Sequence, residues 1–210
     1  GETRAGEARA GEVLFGRTCD VRLGPGLLVA LPAGCGMDLG GIAKGWTARS
    51  AAQRLSRWGP AMVDAGGDIA ASGAPPHGAW VVTVAHPLEI GKDIAVLALH
   101  DEAVATSSRV ARRWSKSGRL AHHLIDPRTG APAETGILSV TVVCKRLPDA
   151  EIHAKVALIL GESDGVDYLC RQKGLSALIT TEDGGQIMTG GFEERAYVST
   201  SRFADRFSAA

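Results

Sequence analysis

Short apolar runs separated by turn residues recur along most of this chain. Apolar runs at 13–15 and 27–31 are broken by Gly-Pro-Gly and Pro-Ala-Gly segments, an order that predicts strand, turn, strand. Similar runs predict strands at 61–63, 80–84, 94–99, 122–125, 138–143 and 175–180. Several short strands of this kind predict a sheet-rich domain.

Three segments have helical features. Apolar and small residues recur at near-helical spacing over 41–58 and stop at Gly59-Pro60, which cannot continue a helix. A second helix is predicted over 150–160, with one face formed by Ile152, Val156, Ile159 and Leu160, and a third over 164–172. Because strands and helices mix without a regular βαβ period, the pattern favours an α+β fold with a mixed, largely antiparallel sheet and packed helices.

The ends of the chain differ from its centre. Residues 1–12 are polar and rich in Gly and Ala, so we expect a linker or a disordered tail, followed by one domain over 13–200 and a C-terminal tail over 201–210. A chain of 210 residues is long enough to bury a core without disulfide support.

Charge and composition exclude several classes of partner. With 23 basic and 23 acidic residues the net charge is zero, so we expect no nucleic-acid partner. No run reaches the ~18–20 apolar residues of a membrane span, and no signal-peptide pattern is present. The protein is therefore expected to be cytoplasmic unless a targeting segment lies outside this chain.

The four cysteines lack a C-x-x-C pair and are expected to be buried thiols rather than zinc ligands or a redox dithiol.

Two glycine clusters mark candidate ligand loops. Gly40-Gly41 follows Asp38 at the start of the first predicted helix, where backbone N–H groups favour an anion. Gly66-Gly67 precedes Asp68 at a strand end. An N-cap with a tight turn explains the first cluster about as well, and a hairpin turn explains the second. Together they favour a phosphate-bearing ligand, although neither a P-loop nor a dinucleotide fingerprint is present.

Candidate titratable groups follow the glycines. His122 and His123 point to opposite faces of a strand, so one imidazole can face a site while the other lies in the core or at the surface. An imidazole suits proton transfer near neutral pH, although a histidine is more often structural than catalytic. Glu151 and Lys155 are spaced for an ion pair on a helix surface, worth a few tenths of a kcal/mol. The basic segment 109–119 is expected to be a solvated loop, with a phosphate-facing edge as the alternative.

The motifs, taken in order, resemble those of the ApbE family, the FAD:protein FMN transferases once described as thiamine-biosynthesis lipoproteins. The matching segments cover most of residues 27–180. They are Asp38-Leu-Gly-Gly-Ile-Ala-Lys-Gly45, Val63-Asp-Ala-Gly-Gly-Asp-Ile69, Ala105-Thr-Ser-Ser108 with Arg112-Arg113, His123-Leu-Ile-Asp-Pro-Arg-Thr-Gly130 and Ser139-Val-Thr-Val142.

The resemblance implies a magnesium-dependent transfer of FMN from FAD to a threonine of an acceptor flavoprotein, with release of AMP. On this pattern Asp38 and Lys44 contact FAD, Gly40 and Gly41 approach it closely, Ile137 lines the flavin site, and the loop with Gly66, Gly67 and Asp68 shapes it. His123 is the residue needed for transfer.

The chain departs from the family at the metal site. The second helix of the family begins with Ala-Asp and carries Thr or Ser four residues after the Asp, whereas this chain has Ala150-Glu151 and Lys155. Glutamate still offers oxygen to Mg²⁺, but a charged lysine has no lone pair to give. One hypothesis is that the Lys155 ammonium takes the metal's place, which leaves a protein that binds FAD and transfers slowly or not at all.

Length is the second departure, because family members carry a further region before the part that this chain resembles. We therefore expect the chain to correspond to the C-terminal two-thirds of the family domain. A lipoprotein signal upstream would make the full protein extracytoplasmic or membrane-anchored. Two further readings stay open: a noncatalytic flavin-binding module with a degenerate metal site, and an FAD pyrophosphatase.

Overall fold

The computed structural model describes residues 21–76, 78–110, 113–116 and 119–198. The strands are β1 Arg22–Gly24, β2 Leu28–Ala30, β3 Ala61–Asp64, β4 Ile69–Ser72, β5 Trp80–Ala85, β6 Asp93–Leu99, β7 Ala103–Ser108, β8 Arg113–Lys116, β9 Arg119–His122, β10 Ile125–Asp126, β11 Ala131–Pro132, β12 Ile137–Cys144, β13 Leu175–Thr181, β14 Gln186–Thr189 and β15 Ala196–Val198. The helices are α1 Ala43–Leu55, α2 Leu147–Leu160, α3 Glu162–Arg171 and α4 Phe192–Arg195. The predicted strand at 13–15 and both predicted tails lie outside the described residues.

A six-stranded antiparallel sheet forms the central layer, in the order β14-β13-β12-β7-β4-β3. Strand β12 lies inside it, and all eight of its residues are buried. Side chains alternate between the two faces of a strand, so Val140 and Val142 join one core cluster while Val143 joins the other. The antiparallel sheet with packed helices confirms the predicted α+β class.

Helices cover one face of this sheet. The buried residues of α1 are Gly45, Ala48 and Ala52, and α2 buries small residues as well as Leu147 and Leu158. The apolar face predicted for α2 was wrong, because Ile152 is 39% exposed while Ala150, Ala154 and Ala157 are fully buried. Small side chains let the helix backbone pack closely against the sheet, and the larger ones lie toward the surface.

A smaller sheet covers the opposite face. Its order is β15-β6-β5, and it packs on the central sheet through a second core cluster that contains Val82, Leu97, Leu99 and the fully buried Phe192 of α4. Strands β1 and β2 form a separate hairpin, in which β2 confirms the strand predicted at 27–31, whereas β1 was not predicted. The longest helix among the described residues, α2 with 14 residues, is too short to cross a bilayer.

Several predicted boundaries were corrected by the fold. Helix α1 ends at Leu55, earlier than predicted, and α2 begins at Leu147 with Pro148 in its first turn. The basic segment is not a plain loop, because β8 and β9 pair as an antiparallel hairpin within it. Of the three cysteines in the described residues, Cys144 is buried, and desolvation raises the pKa of its thiol. The other two are Cys35, half-buried, and Cys170, exposed.

Candidate functional site

A cavity of about 150 Å³ lies at one end of the central sheet, beside the start of α1. It is lined by Gly40, Lys44, Gly66, Asp68, Thr106, Ser107, Ser108, His123, Glu151 and Lys155. Seven of these residues were predicted from the sequence as candidate site residues, and the seven come from four different parts of the chain. Sites that enclose a whole drug-sized ligand span about 300–1,000 Å³, so this cavity is smaller than such a site.

The turn before α1 supplies the first wall. The backbone N–H of Gly40 donates to Oδ1 of Asp38 at 2.7 Å, and a Cβ added to Gly40 would lie only 2.9 Å from that oxygen. The helix itself starts at Ala43 with no side-chain cap, so Asp38 holds the turn and is not an N-cap. Asp38 is exposed and does not line the cavity.

The turn between β3 and β4 supplies the second wall. Gly66 and Gly67 have φ of 77° and 93°, a left-handed conformation that favours glycine. The N–H of Gly67 donates to Oδ1 of Asp64 at 2.7 Å, which fixes the turn. The strands pair on either side, so this cluster is a hairpin turn, and Gly66 lines the cavity while Gly67 does not. Asp68 is buried and accepts a hydrogen bond from the ammonium of Lys44.

The strand predicted at 122–125 was wrong, because β9 ends at His122 and His123 lies outside any strand, but the two histidines still differ in exposure. His122 is buried, and its ring bonds at both nitrogens: the N–H of Leu124 donates to Nδ1 at 3.3 Å, and Nε2 lies 2.9 Å from the carbonyl oxygen of Ala133. Because Nδ1 accepts, Nε2 carries the proton and donates. His123 is exposed and lines the cavity.

An ion pair fixes the loop that follows His123. The guanidinium of Arg128 binds both carboxylate oxygens of Asp126, with Nη2 2.8 Å from Oδ2 and Nε 3.0 Å from Oδ1. These hydrogen bonds hold the pKa of the Asp126 carboxyl below its ordinary value of 3.8. The same guanidinium donates to the carbonyl oxygen of Ile159 at 3.2 Å, which ties the loop to the last turn of α2.

Glu151 and Lys155 form the predicted ion pair, but its surface position was wrong. The Nζ of Lys155 lies 2.9 Å from Oε1 of Glu151, whose side chain is 2% exposed. The same Nζ donates to the carbonyl oxygen of Gly41 at 2.9 Å. Oε2 of Glu151 accepts the N–H of Gly45 at 3.0 Å, inside the first turn of α1. The pair therefore joins α2 to the loop and helix that carry Lys44.

This arrangement does not fit a divalent metal at Glu151. One carboxylate oxygen and the carbonyl of Gly41 already bind the Lys155 ammonium, and the other carboxylate oxygen binds the N–H of Gly45. Over the described part of the chain, no group of three or more His, Cys, Asp and Glu side chains is placed to hold a metal ion. The donor set at this position is complete with the lysine.

One residue predicted to line the site lies outside the cavity, and three hydroxyl residues line it in addition. Ile137 is fully buried in the core beneath the helices and does not line the cavity. The hydroxyl residues Thr106, Ser107 and Ser108 line it, and they belong to the motif Ala105-Thr-Ser-Ser108, to which no role in the site was assigned. Their signal in the sequence is a run of three consecutive hydroxyl side chains at the end of a strand.

Comparisons with known proteins agree on one family. The sequence profile described as "ApbE family" matches residues 13–179. A Treponema pallidum protein named FAD:protein FMN transferase is 33% identical, and the match covers 88% of this chain and 57% of that protein. A Klebsiella pneumoniae protein of the same name is 27% identical, with 74% of this chain and 49% of that protein covered.

Solved structures agree with the sequences. The crystal structure of the ApbE protein from Thermotoga maritima matches with a TM-score of 0.76 and 29% identity, covering 84% of this chain and 59% of that one. The flavin transferase ApbE from Vibrio cholerae matches with a TM-score of 0.69 and 25% identity, covering 84% and 58%. The chain thus spans about half to three-fifths of the length of these relatives.

Proposed function

Because the chain belongs to the ApbE family, we propose that it acts as an FAD:protein FMN transferase, moving FMN from FAD to a threonine of an acceptor flavoprotein and releasing AMP. One observation carries the proposal: a single cavity holds His123 together with two ammonium groups and a close-approach glycine loop. These are the groups that cleavage of a diphosphate needs.

The proposed step is a displacement at phosphorus. The hydroxyl oxygen of the acceptor threonine forms a bond to the phosphorus of the FMN half, and the bond from that phosphorus to the bridging oxygen breaks. The electron pair leaves with AMP. The imidazole of His123 accepts the hydroxyl proton, because imidazole is the side chain that most often serves as a general base.

The remaining cavity groups position the diphosphate and neutralise its charge. Lys44 is held by Asp68, and Lys155 is held by Glu151, so both ammonium groups are fixed before the ligand arrives. Fixed charges stabilise a phosphoryl-transfer transition state without having to reorganise. Gly40 and Gly66 carry no side chains that would keep the diphosphate away from the backbone. Magnesium is implied by the family resemblance, but we assign it no step, because the residues at Glu151 do not fit it.

Incubation of the protein with FAD and a threonine-containing acceptor peptide tests the proposal. Transfer yields a fluorescent covalent FMN–peptide and one AMP per peptide modified, and an acceptor with the threonine replaced by alanine stays unlabelled. The His123→Gly variant should lose labelling, while the matched variant His100→Gly, at an exposed histidine outside the cavity, should keep it.

Two results would replace the proposal with another function. Free FMN and AMP without labelled peptide would make the protein an FAD pyrophosphatase that uses water as the acceptor. Bound but unchanged FAD would make it a noncatalytic flavin-binding module. The second of these is the result favoured by the lysine at the family's metal position.

A further inference from the structure

Lys155 is a cavity residue whose charge bridges two elements of the described structure. Its ammonium lies 2.9 Å from the carbonyl oxygen of Gly41, before α1, and 2.9 Å from Oε1 of Glu151, on its own helix. Two oxygens from different elements therefore bind the same cation.

The buried carboxylate of Glu151 requires the positive charge of Lys155 beside it. Glu151 is 2% exposed, and a carboxylate buried to that extent needs a counterion. The N–H of Gly45 supplies a hydrogen bond but no net charge. Lys155 is therefore the counterion, and unlike a metal ion it cannot dissociate.

Lys155 also faces the ligand. Its side chain is 25% exposed and lines the cavity together with Lys44 and His123. An ammonium has three N–H donors, and the bonds to Gly41 and Glu151 engage two of them, which leaves one for an anionic ligand in the cavity.

We propose that Lys155 is a built-in cation of this site: its ammonium fills the position that a divalent metal would take between Glu151 and Gly41 and supplies that positive charge to the diphosphate of the ligand. Whether lysine occupies this position does not depend on which reaction the protein catalyses. The contact with the diphosphate of FAD rests on the proposed function.

Metal binding without flavin tests the first part. Replacing Lys155 by threonine leaves three uncharged or anionic oxygens around the position, from Gly41, Glu151 and the new hydroxyl, which suits a hard divalent cation. We expect the Lys155→Thr variant to bind Mn²⁺ at least tenfold more tightly than the wild type, measured by loss of the free Mn²⁺ signal in electron paramagnetic resonance.

Two further variants test whether the tighter Mn²⁺ binding comes from the position between Glu151 and Gly41. Adding Glu151→Gln to Lys155→Thr should remove the gain, and Lys173→Thr, at an exposed lysine after α3, should bind Mn²⁺ like the wild type. Circular dichroism spectra show whether each variant is folded. The proposal is overturned if the wild type binds Mn²⁺ as tightly as Lys155→Thr, or if a folded Lys155→Thr gains nothing.

Flavin binding tests the second part. Quenching of flavin fluorescence should give the wild type the same FAD affinity, within twofold, in EDTA and in Mg²⁺. Lys155→Met should bind FAD at least tenfold more weakly, with no change for riboflavin, which has no phosphate. A strong Mg²⁺ requirement in the wild type would overturn this part. If the wild type binds no FAD at all, the proposed function fails, while the Mn²⁺ measurement still decides whether lysine fills the cation position.

Discussion

The Nε2 atom of His122 lies 2.9 Å from the carbonyl oxygen of Ala133, so a buried side chain joins the two ends of the loop that begins with His123. The pairing of β10 with β11 and the ion pair of Asp126 with Arg128 lie inside this loop. His122 thus positions its neighbour without facing the cavity.

Replacing His122 by alanine should destabilise the fold. The change leaves the carbonyl of Ala133 and the N–H of Leu124 without their partner, and a buried polar group left unpaired costs about 1–3 kcal/mol. Urea unfolding measures the loss. His123→Ala, at the exposed neighbour, should cost less free energy of unfolding, and equal losses at the two positions would contradict the assignment.

Removing Glu151 should be far more harmful than removing an exposed partner with the same spacing. Glu151→Ala leaves a partly buried ammonium without its carboxylate and the N–H of Gly45 without its acceptor, so we expect a loss of about 3–5 kcal/mol. The matched pair Asp167 and Arg171 has the same i, i+4 spacing on α3 but is exposed. Asp167→Ala should cost no more than about 0.5 kcal/mol in the same unfolding experiment.

Gly45 is needed for its lack of a side chain. Alanine normally stabilises a helix by about 1 kcal/mol relative to glycine, but a Cβ here would lie 2.7 Å from Oε2 of Glu151 and 3.3 Å from the backbone of Leu147. We expect Gly45→Ala to lower stability by about 1–3 kcal/mol because neither neighbour has room to move. Thermal unfolding of Gly36→Ala, where a Cβ would meet no atom within 4 Å, provides the control and should show no loss.

Stability should fall as His153 becomes protonated. His153 on α2 bonds to the hydroxyl of Tyr168 on α3 at 2.7 Å, and desolvation by burial lowers the pKa of its imidazole from 6.5. Because the folded pKa is the lower one, the unfolded chain binds more protons, so the contribution is full above pH 6.5 and is lost as the pH falls through the folded pKa.

Proton NMR should therefore show His153 titrating with a midpoint below 6.5. In urea unfolding, the loss of stability between about pH 7.5 and about pH 5.5 should be smaller in His153→Gln, which has no group titrating in that range. A midpoint at or above 6.5 would contradict the expected effect of burial.

The strands predicted at 27–31, 61–63, 80–84, 94–99, 138–143 and 175–180 match β2, β3, β5, β6, β12 and β13, because apolar runs bounded by turn residues are distinctive. Strand β4, at Ile69-Ala-Ala-Ser72, was missed because alanine and serine have little strand preference, and the strand forms only through its neighbours in the sheet. The buried face of α2 was missed for a related reason: Ala150, Ala154 and Ala157 form much of it, and a search for large apolar residues overlooks alanine.

The site was predicted in part. Glycine pairs and a histidine beside a turn have local signals, and the structure brings Gly40, Gly66 and His123 to one cavity. The ion pair of Glu151 and Lys155 follows from helix spacing alone, but its burial does not. The groups that enclose it, Gly41 and Gly45, lie 114 residues from Lys155 and 106 residues from Glu151. Only the tertiary fold brings them together.

Helix α2 connects the loop before α1 to the loop that follows His123. Lys155 holds the Gly41 loop, and one turn later the carbonyl oxygen of Ile159 holds the loop of Arg128. Both contacts are made by the same helix, whose inner residues, such as Leu158, are buried in the core. A core substitution that shifts α2 along its axis would therefore displace both loops together and in the same direction.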